Sequence, residues 1–177
     1  MTVLLAWPVS ADDPEYAKIR NGMRKLAPLV GKWDVAVAFH APDGTVTEEV
    51  GTWTVSSVLD DTYLEFQTER HPKDNPKRHA LVLFYVTFNP RSNKYDITYF
   101  YNRWSLRVTE TGEFDDATQE FRTRGYIPQE DGVNDETVRA TTSLKGHDRI
   151  SYKHYSMRSP RETAQRLDVE MILTPAK

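Results

Sequence analysis

The chain has 177 residues, with 23 basic and 26 acidic side chains and a formal net charge of -3. One domain, residues 1–177, is the simplest reading of that length, and it can bury a core without staples. It contains no cysteine, which excludes disulfides, thiolate catalysis, Fe–S clusters and Cys-based zinc sites, and it lacks the basic excess that a nucleic-acid partner demands.

Residues 1–11 form an apolar arm, Val3 to Val9 at its centre. It lacks the basic n-region and long apolar run of a secretory signal, so it is expected to pack on the fold or on a partner subunit. No apolar run approaches membrane-spanning length; no membrane partner and a cytoplasmic location are expected.

Residues 12–29 carry the one convincing helix. Asp13 is a good N-cap, Pro14 suits the first turn, and Tyr16, Ile19, Met23 and Leu26 recur at helical spacing. Pro28 is expected to end it. From Gly31 the period changes to two. "KWDVAVAFH" puts Trp33, Val35, Val37 and Phe39 on one face. Residues 41–44 turn, and "TVTEEVGTWTVSSVL" follows, with Gly51 read as a bend or bulge. "YLEFQTERH" is a third strand. "HALVLFYVTFN" is apolar on both faces and is expected to be covered on both. "YDITYFYN", "SLRVTETGEF", "QEFRTRGYI", "ETVRATTSL", "RISYKHYSM" and "AQRLDVEMIL" complete the series. Turn signals lie at Asp115-Asp116, Glu130-Asp131-Gly132, Gly146-His147-Asp148 and Ser159-Pro160. About ten strands at steady spacing after one helix predict an all-β antiparallel meander over 31–174, closed into a barrel so that no edge is left open.

Gly31 permits a tight entry from the helix, and Trp33 is then expected to point inward and plug the narrow end. This Gly-x-Trp element resembles that of lipocalins and other calycin barrels. The ordered series "LAPLVGKWDV", "GTWTVSSVLDDTYLEFQ", "VTFNPRSNKYDITYF", "TGEFDD" and "ETVRATTSL" resembles the DUF1579 family, an uncharacterised group of calycin-like barrels, over roughly residues 26 to 174. Three positions depart from that family's pattern: Thr87-Phe88-Asn89-Pro90 stands for Gly-Tyr-Asp-Pro, Tyr101 for an acidic residue, and Val138 for a Tyr beside Arg139. The resemblance implies a fold and no particular activity. The nitrobindin group is similar in its Gly-x-Trp element and barrel, and that resemblance implies haem on a late-strand His, here His154. A pocket-lining or surface role for His154 is preferred, and no cofactor is expected.

Several residue sets carry candidate chemistry. Tyr63, Glu65, Gln67 and Glu69 share one face of their strand, opposite Leu64, Phe66 and Thr68. The solvated reading of those carboxylates is preferred; in a polar-lined cavity Glu65 would point inward and act as a general acid or base. Tyr95, Ile97, Tyr99 and Tyr101 share a face, and a tyrosine row inside a barrel grips a flat or amphipathic ligand. Tyr85 and Tyr152 extend that candidate set. Arg107 and Arg139 sit mid-strand. Buried there, either needs an internal Glu such as Glu49 or Glu65, or a ligand carboxylate as in intracellular lipid-binding barrels; the common reading is a surface ion pair. Of the two, Arg139 is the better candidate for burial. Five His residues show no metal-ligand spacing, so no metal is expected, and there is no nucleophile elbow, P-loop or dinucleotide fingerprint.

Three functions therefore stand. The first is binding of a small apolar or amphipathic molecule, with Trp33 at the floor and Tyr99, Tyr152 and Arg139 on the wall. The second is cofactor-free turnover of such a molecule by a cyclase, isomerase or decarboxylase, with Glu65, His154 or a Tyr hydroxyl moving a proton. The third is a filled interaction barrel. A homodimer is compatible with each.

Overall fold

The computed structural model describes residues 13–102, 104–127, 136–146, 148–157 and 166–177. The arm at Val3 to Val9, the turns at Glu130-Asp131-Gly132 and Ser159-Pro160, and His147 lie outside the described residues. Helix α1 spans Pro14–Arg24, and the Asp13 carboxylate caps it by accepting a hydrogen bond from Glu15 N at 2.8 Å. The helix is shorter than its periodicity suggests. A proline at 28 would clash with the carbonyl four residues back, at Arg24, so α1 stops there and Pro28 sits in a 3₁₀ turn, Ala27–Leu29.

Ten strands follow: β1 (Gly31–His40), β2 (Val46–Val58), β3 (Tyr63–Pro72), β4 (Ala80–Asn89), β5 (Lys94–Tyr101), β6 (Trp104–Asp115), β7 (Glu120–Ile127), β8 (Glu136–Ser143), β9 (Ile150–Met157) and β10 (Arg166–Pro175). Each pairs antiparallel with the next, and β10 returns to β1, from Trp33 opposite Pro175 to Phe39 opposite Val169. The barrel is closed and all-antiparallel, as the meander predicts. No helix among the described residues is long and apolar enough to cross a membrane.

One end of the barrel is sealed. Gly31 has φ of 144°, a conformation that L side chains rarely adopt, and it turns the chain sharply from the 3₁₀ turn into β1. Trp33 is 5% exposed, and its Nε1 donates to Leu29 O at 2.8 Å, which ties strand to turn. Met23, Leu26 and Leu29 pack into the same core. Tyr95 fixes α1 above it: its buried hydroxyl donates to Gly22 O at 2.7 Å. Gly22 is required because any Cβ would run into the Phe88 ring. Tyr95→Phe is expected to cost about 1–2 kcal/mol, the net worth of one buried hydrogen bond plus an orphaned carbonyl. Urea unfolding should show this as a lower midpoint with an unchanged slope.

Two local expectations need correction. Gly51 is not a bulge, because β2 stays in register with β1 and β3 through it. It allows close approach instead: a Cβ there would overlap the Glu69 carbonyl oxygen. Strand β4 is covered on one face only. Ala80, Phe84 and Val86 are buried inside, while Leu81 is 43% exposed and Leu83 lies opposite the 45% exposed Phe100 on the outer surface. Cross-strand apolar pairing, without a covering layer, accounts for the apolar outer side chains.

Candidate functional site

Alternation along a strand sends every second side chain inward. On β3 these are Leu64, Phe66, Thr68 and Arg70, in that order from the sealed end toward the open one. Phe66 stacks on Phe84 at 4.2 Å between centroids, Trp53 meets both rings edge-on, and Phe84 contacts Tyr99 at 4.9 Å. This aromatic cluster walls a deep chamber of about 170 Å³. An outer chamber of about 290 Å³ continues from it. Arg70, Val82, Tyr99, Tyr152 and Met171 line both, so they form the waist between the two. Each chamber alone is small for a ligand site; joined, they enter the range of roughly 300–1,000 Å³ typical of such sites.

Arg70 is the charge at the waist. Its side chain is 10% exposed, and its guanidinium lies over the Phe39 ring at 5.3 Å. The Glu49 carboxylate, equally buried, is 3.7 Å from Nε. That neutralises the charge but is too long for a hydrogen bond. Accordingly, Arg70 Nε and Glu49 Oε2 are buried with no hydrogen-bond partner among the described residues.

Glu110 on β6 is the second buried acid, 8% exposed. Tyr99 on β5 donates to its Oε2 at 3.4 Å. Burial pushes the Glu110 carboxyl above its usual value, and the neighbouring Thr123 and Tyr99 hydroxyls only partly offset that. Burial likewise pushes the Tyr99 and Tyr152 hydroxyls upward, with the Glu110 charge adding to both. A raised carboxyl contributes stability below its unfolded value, and that contribution is lost as pH rises through the folded value. Glu110→Gln should therefore melt near wild type at about pH 4 and above it at pH 7 and higher. The gain there is roughly 1–3 kcal/mol, the scale of a poorly satisfied buried polar group. Thermal melts across pH check this.

The outer chamber also holds His154, on β9. A bulge in β10 between Leu167 and Val169 makes Asp168 an extra residue. The Asp168 Oδ2 lies 3.9 Å from His154 Nδ1, while Arg166 holds Oδ1 through Nε at 2.7 Å. The Tyr152 and His154 rings run parallel at 6.5 Å.

The structure thus brings Tyr99, Tyr101, Tyr152 and His154 to one cavity, while Trp33 lines neither chamber and supports the deep one through its bond to Leu29. It separates the rest. Arg139, the better candidate for burial, is exposed on the outer surface opposite Arg124, because its neighbours Val138 and Ala140 take the inward positions. Arg107 is exposed for the same reason, next to the buried Val108. Glu65 and Tyr85 also face outward; the Tyr85 hydroxyl donates to Glu65 Oε2 at 2.7 Å, and Gln67 Nε2 donates to its Oε1. Glu65 is thus no acid or base of the cavity. Glu49 is internal, as an Arg partner should be, but its Arg is Arg70. Sequence reasoning missed Arg70 and Glu110. Both were countable: Arg70 is two residues beyond Thr68 on the apolar face of β3, and Glu110 shares alternation with Val108 and Phe114.

Comparison with known proteins supports this barrel. No curated protein sequence matches the chain. Among solved structures it is similar to Rv2717c from M. tuberculosis, with a TM-score of 0.67 at 12% identity, covering 88% of this chain and 98% of that one. It is also similar to the S-type phycobiliprotein lyase CPES from Guillardia theta, with a TM-score of 0.61 at 8% identity, covering 85% and 89%. The ordered series beginning before Gly31-Lys32-Trp33 falls within the region of a family match, and over residues 20–170 the chain belongs to the DUF1579 family of proteins of unknown function.

Proposed function

We propose that this barrel binds a small amphipathic molecule with an anionic head, a carboxylate being the simplest. The apolar body would fill the deep chamber against Phe66, Phe84 and Val86, and the head would sit at the waist on Arg70. One observation carries the reading: a buried guanidinium whose Nε has no hydrogen-bond partner among the described residues, 3.7 Å from the Glu49 carboxylate that balances it. A buried charge held this loosely is costly unless something else completes its hydrogen bonds. A ligand carboxylate would do so in a bidentate way, which an Arg fork suits better than an ammonium.

The test is native mass spectrometry of freshly purified protein, with a denatured extract, an absorbance scan and titration with a long-chain carboxylate. A retained anionic amphiphile, or saturable binding of the added one, supports the reading. A clean apo mass with no binding of the carboxylate sinks it.

Haem on His154 is the second reading, favoured by Asp168 beside Nδ1, the support that a ligating imidazole commonly uses. The remaining residues fit a macrocycle poorly. Two charged side chains, Arg70 and Glu110, stand in the otherwise largely apolar lining that His154 shares, where a macrocycle would have to bury them. A Soret band in the scan would reverse this order. The alternative to binding alone is turnover of the same molecule in the same cavity, with Glu110 in place of Glu65 as its acid–base group.

A further inference from the structure

We infer that Glu110 is a general base for a carbon acid, a carbonyl compound with an acidified neighbouring C–H, seated in the outer chamber with its anionic group on Arg70. The inference rests on the binding reading and adds chemistry to it.

Four features of the geometry support it. Glu110 lines the outer chamber and is 8% exposed, so a ligand there meets its carboxylate in a water-poor space. No cation lies within ion-pair distance of it among the described residues, and Arg70 is taken by Glu49. A carboxylate kept for structure alone would be paired. Third, room has been made for it: a Cβ on Gly125, opposite it on β7, would come within 2.5 Å of Glu110 Cγ. Fourth, phenol hydroxyls share its chamber: Tyr99 donates to the carboxylate itself at 3.4 Å, and Tyr152 lines the same space.

The step balances within the site. The Glu110 carboxylate takes the proton from the C–H bond. Its electron pair forms the C=C bond of an enolate, and the carbonyl oxygen takes the charge under a hydrogen bond from Tyr152. Glu110 returns the proton to another carbon, or to the other face of the same one. The product is an isomer or epimer, the carboxylate is regenerated, and no oxidant or reductant enters. The groups facing Glu110 from the packed strands are Tyr99 and Tyr101 of β5, Tyr152 and His154 of β9 and Arg70 of β3; β7 presents Thr123 and Gly125. Burial places the carboxyl above its ordinary range, which makes it a stronger base when ionised.

The probe is 5-nitrobenzisoxazole, whose ring opens to a coloured phenolate when a base removes its C–H proton and the N–O bond breaks. The full chain should open it faster than free acetate, with a rate rising through an inflection above the ordinary carboxylate range. Glu110→Gln should lower the rate about 100-fold, the usual scale for a positioned base. Tyr99→Phe should move the inflection upward, because its hydroxyl favours the ionised form. His154→Gln is measured alongside, since His154 is the other base of the chamber. Circular dichroism and long-chain carboxylate binding confirm that each variant is folded. Equal rates for Glu110→Gln and wild type, loss in His154→Gln instead, or no rate above acetate overturns the inference. Carboxylate binding without ring opening leaves the binding reading standing, while absence of both removes the two together.

Discussion

Arg70→Met is expected to weaken binding of a long-chain carboxylate roughly 10- to 100-fold, because a hydrogen bond to a charged group is worth ~1.5–3 kcal/mol. The same change should destabilise the free protein. Glu49 would be left buried at 9% side-chain exposure without its cation. Breaking a buried pair costs about 3–5 kcal/mol, and the 3.7 Å separation puts this one near the lower end. Adding Glu49→Gln should recover most of the stability and none of the affinity. Stability then reports on the pair, while affinity reports on the guanidinium. Isothermal titration and chemical unfolding of the two single variants and the double variant close the cycle. If Arg70→Met binds the carboxylate as tightly as wild type, the anionic-head reading is wrong, whatever the stability does. The outward-facing Arg139 provides the control: Arg139→Ala should leave both quantities unchanged.

Trp33→Ala should be the most destabilising single truncation at the sealed end, by about 3–5 kcal/mol, the range for large aromatic side chains in cores. For a chain of this size the melting temperature should fall by roughly 10 °C. Two losses combine. The indole leaves a cavity among Met23, Leu26, Leu29 and Leu173 in the core, and the Leu29 carbonyl loses its donor at 2.8 Å. Trp33→Phe retains most of the ring volume and loses only the donor, so it should cost about 1–2 kcal/mol. Leu29 also lines the deep chamber, so loosening the 3₁₀ turn should weaken carboxylate binding as well. A melting temperature for Trp33→Ala within about 2 °C of wild type would mean that the floor is held by α1 alone, through Tyr95.

Sequence alone determined the architecture, through local signals that closure does not alter. Asp13-Pro14 starts the helix, Gly31 turns the chain, and period-two alternation from Trp33 onward sets ten strands between turn signals. Relative facing was legible too. Trp33, Val35 and Val37 are buried together, and Tyr95, Ile97 and Tyr99 share the inner face. Helix length followed from a rule that acts further upstream than the residue before the proline: Pro28 reaches back to Arg24.

Tertiary structure alone decided which polar residues meet. Alternation separates the two faces of a strand, but only the closed barrel makes one of them the inside. Arg139 is the better of the two mid-strand candidates for burial by analogy, yet it takes the surface position read as the common one, because Val138 and Ala140 fill the inward positions of β8. Arg70, which the sequence reading passes over, is inside because β3 carries its inward alternation to the open rim. Glu110, Tyr99, Tyr152, His154 and Arg70 come from four strands, and no spacing in the sequence links one of those strands to another. They share a chamber because closure curls β3, β5, β6 and β9 around one axis. The desolvation that raises the Glu110 carboxyl exists only once the walls of that chamber are in place.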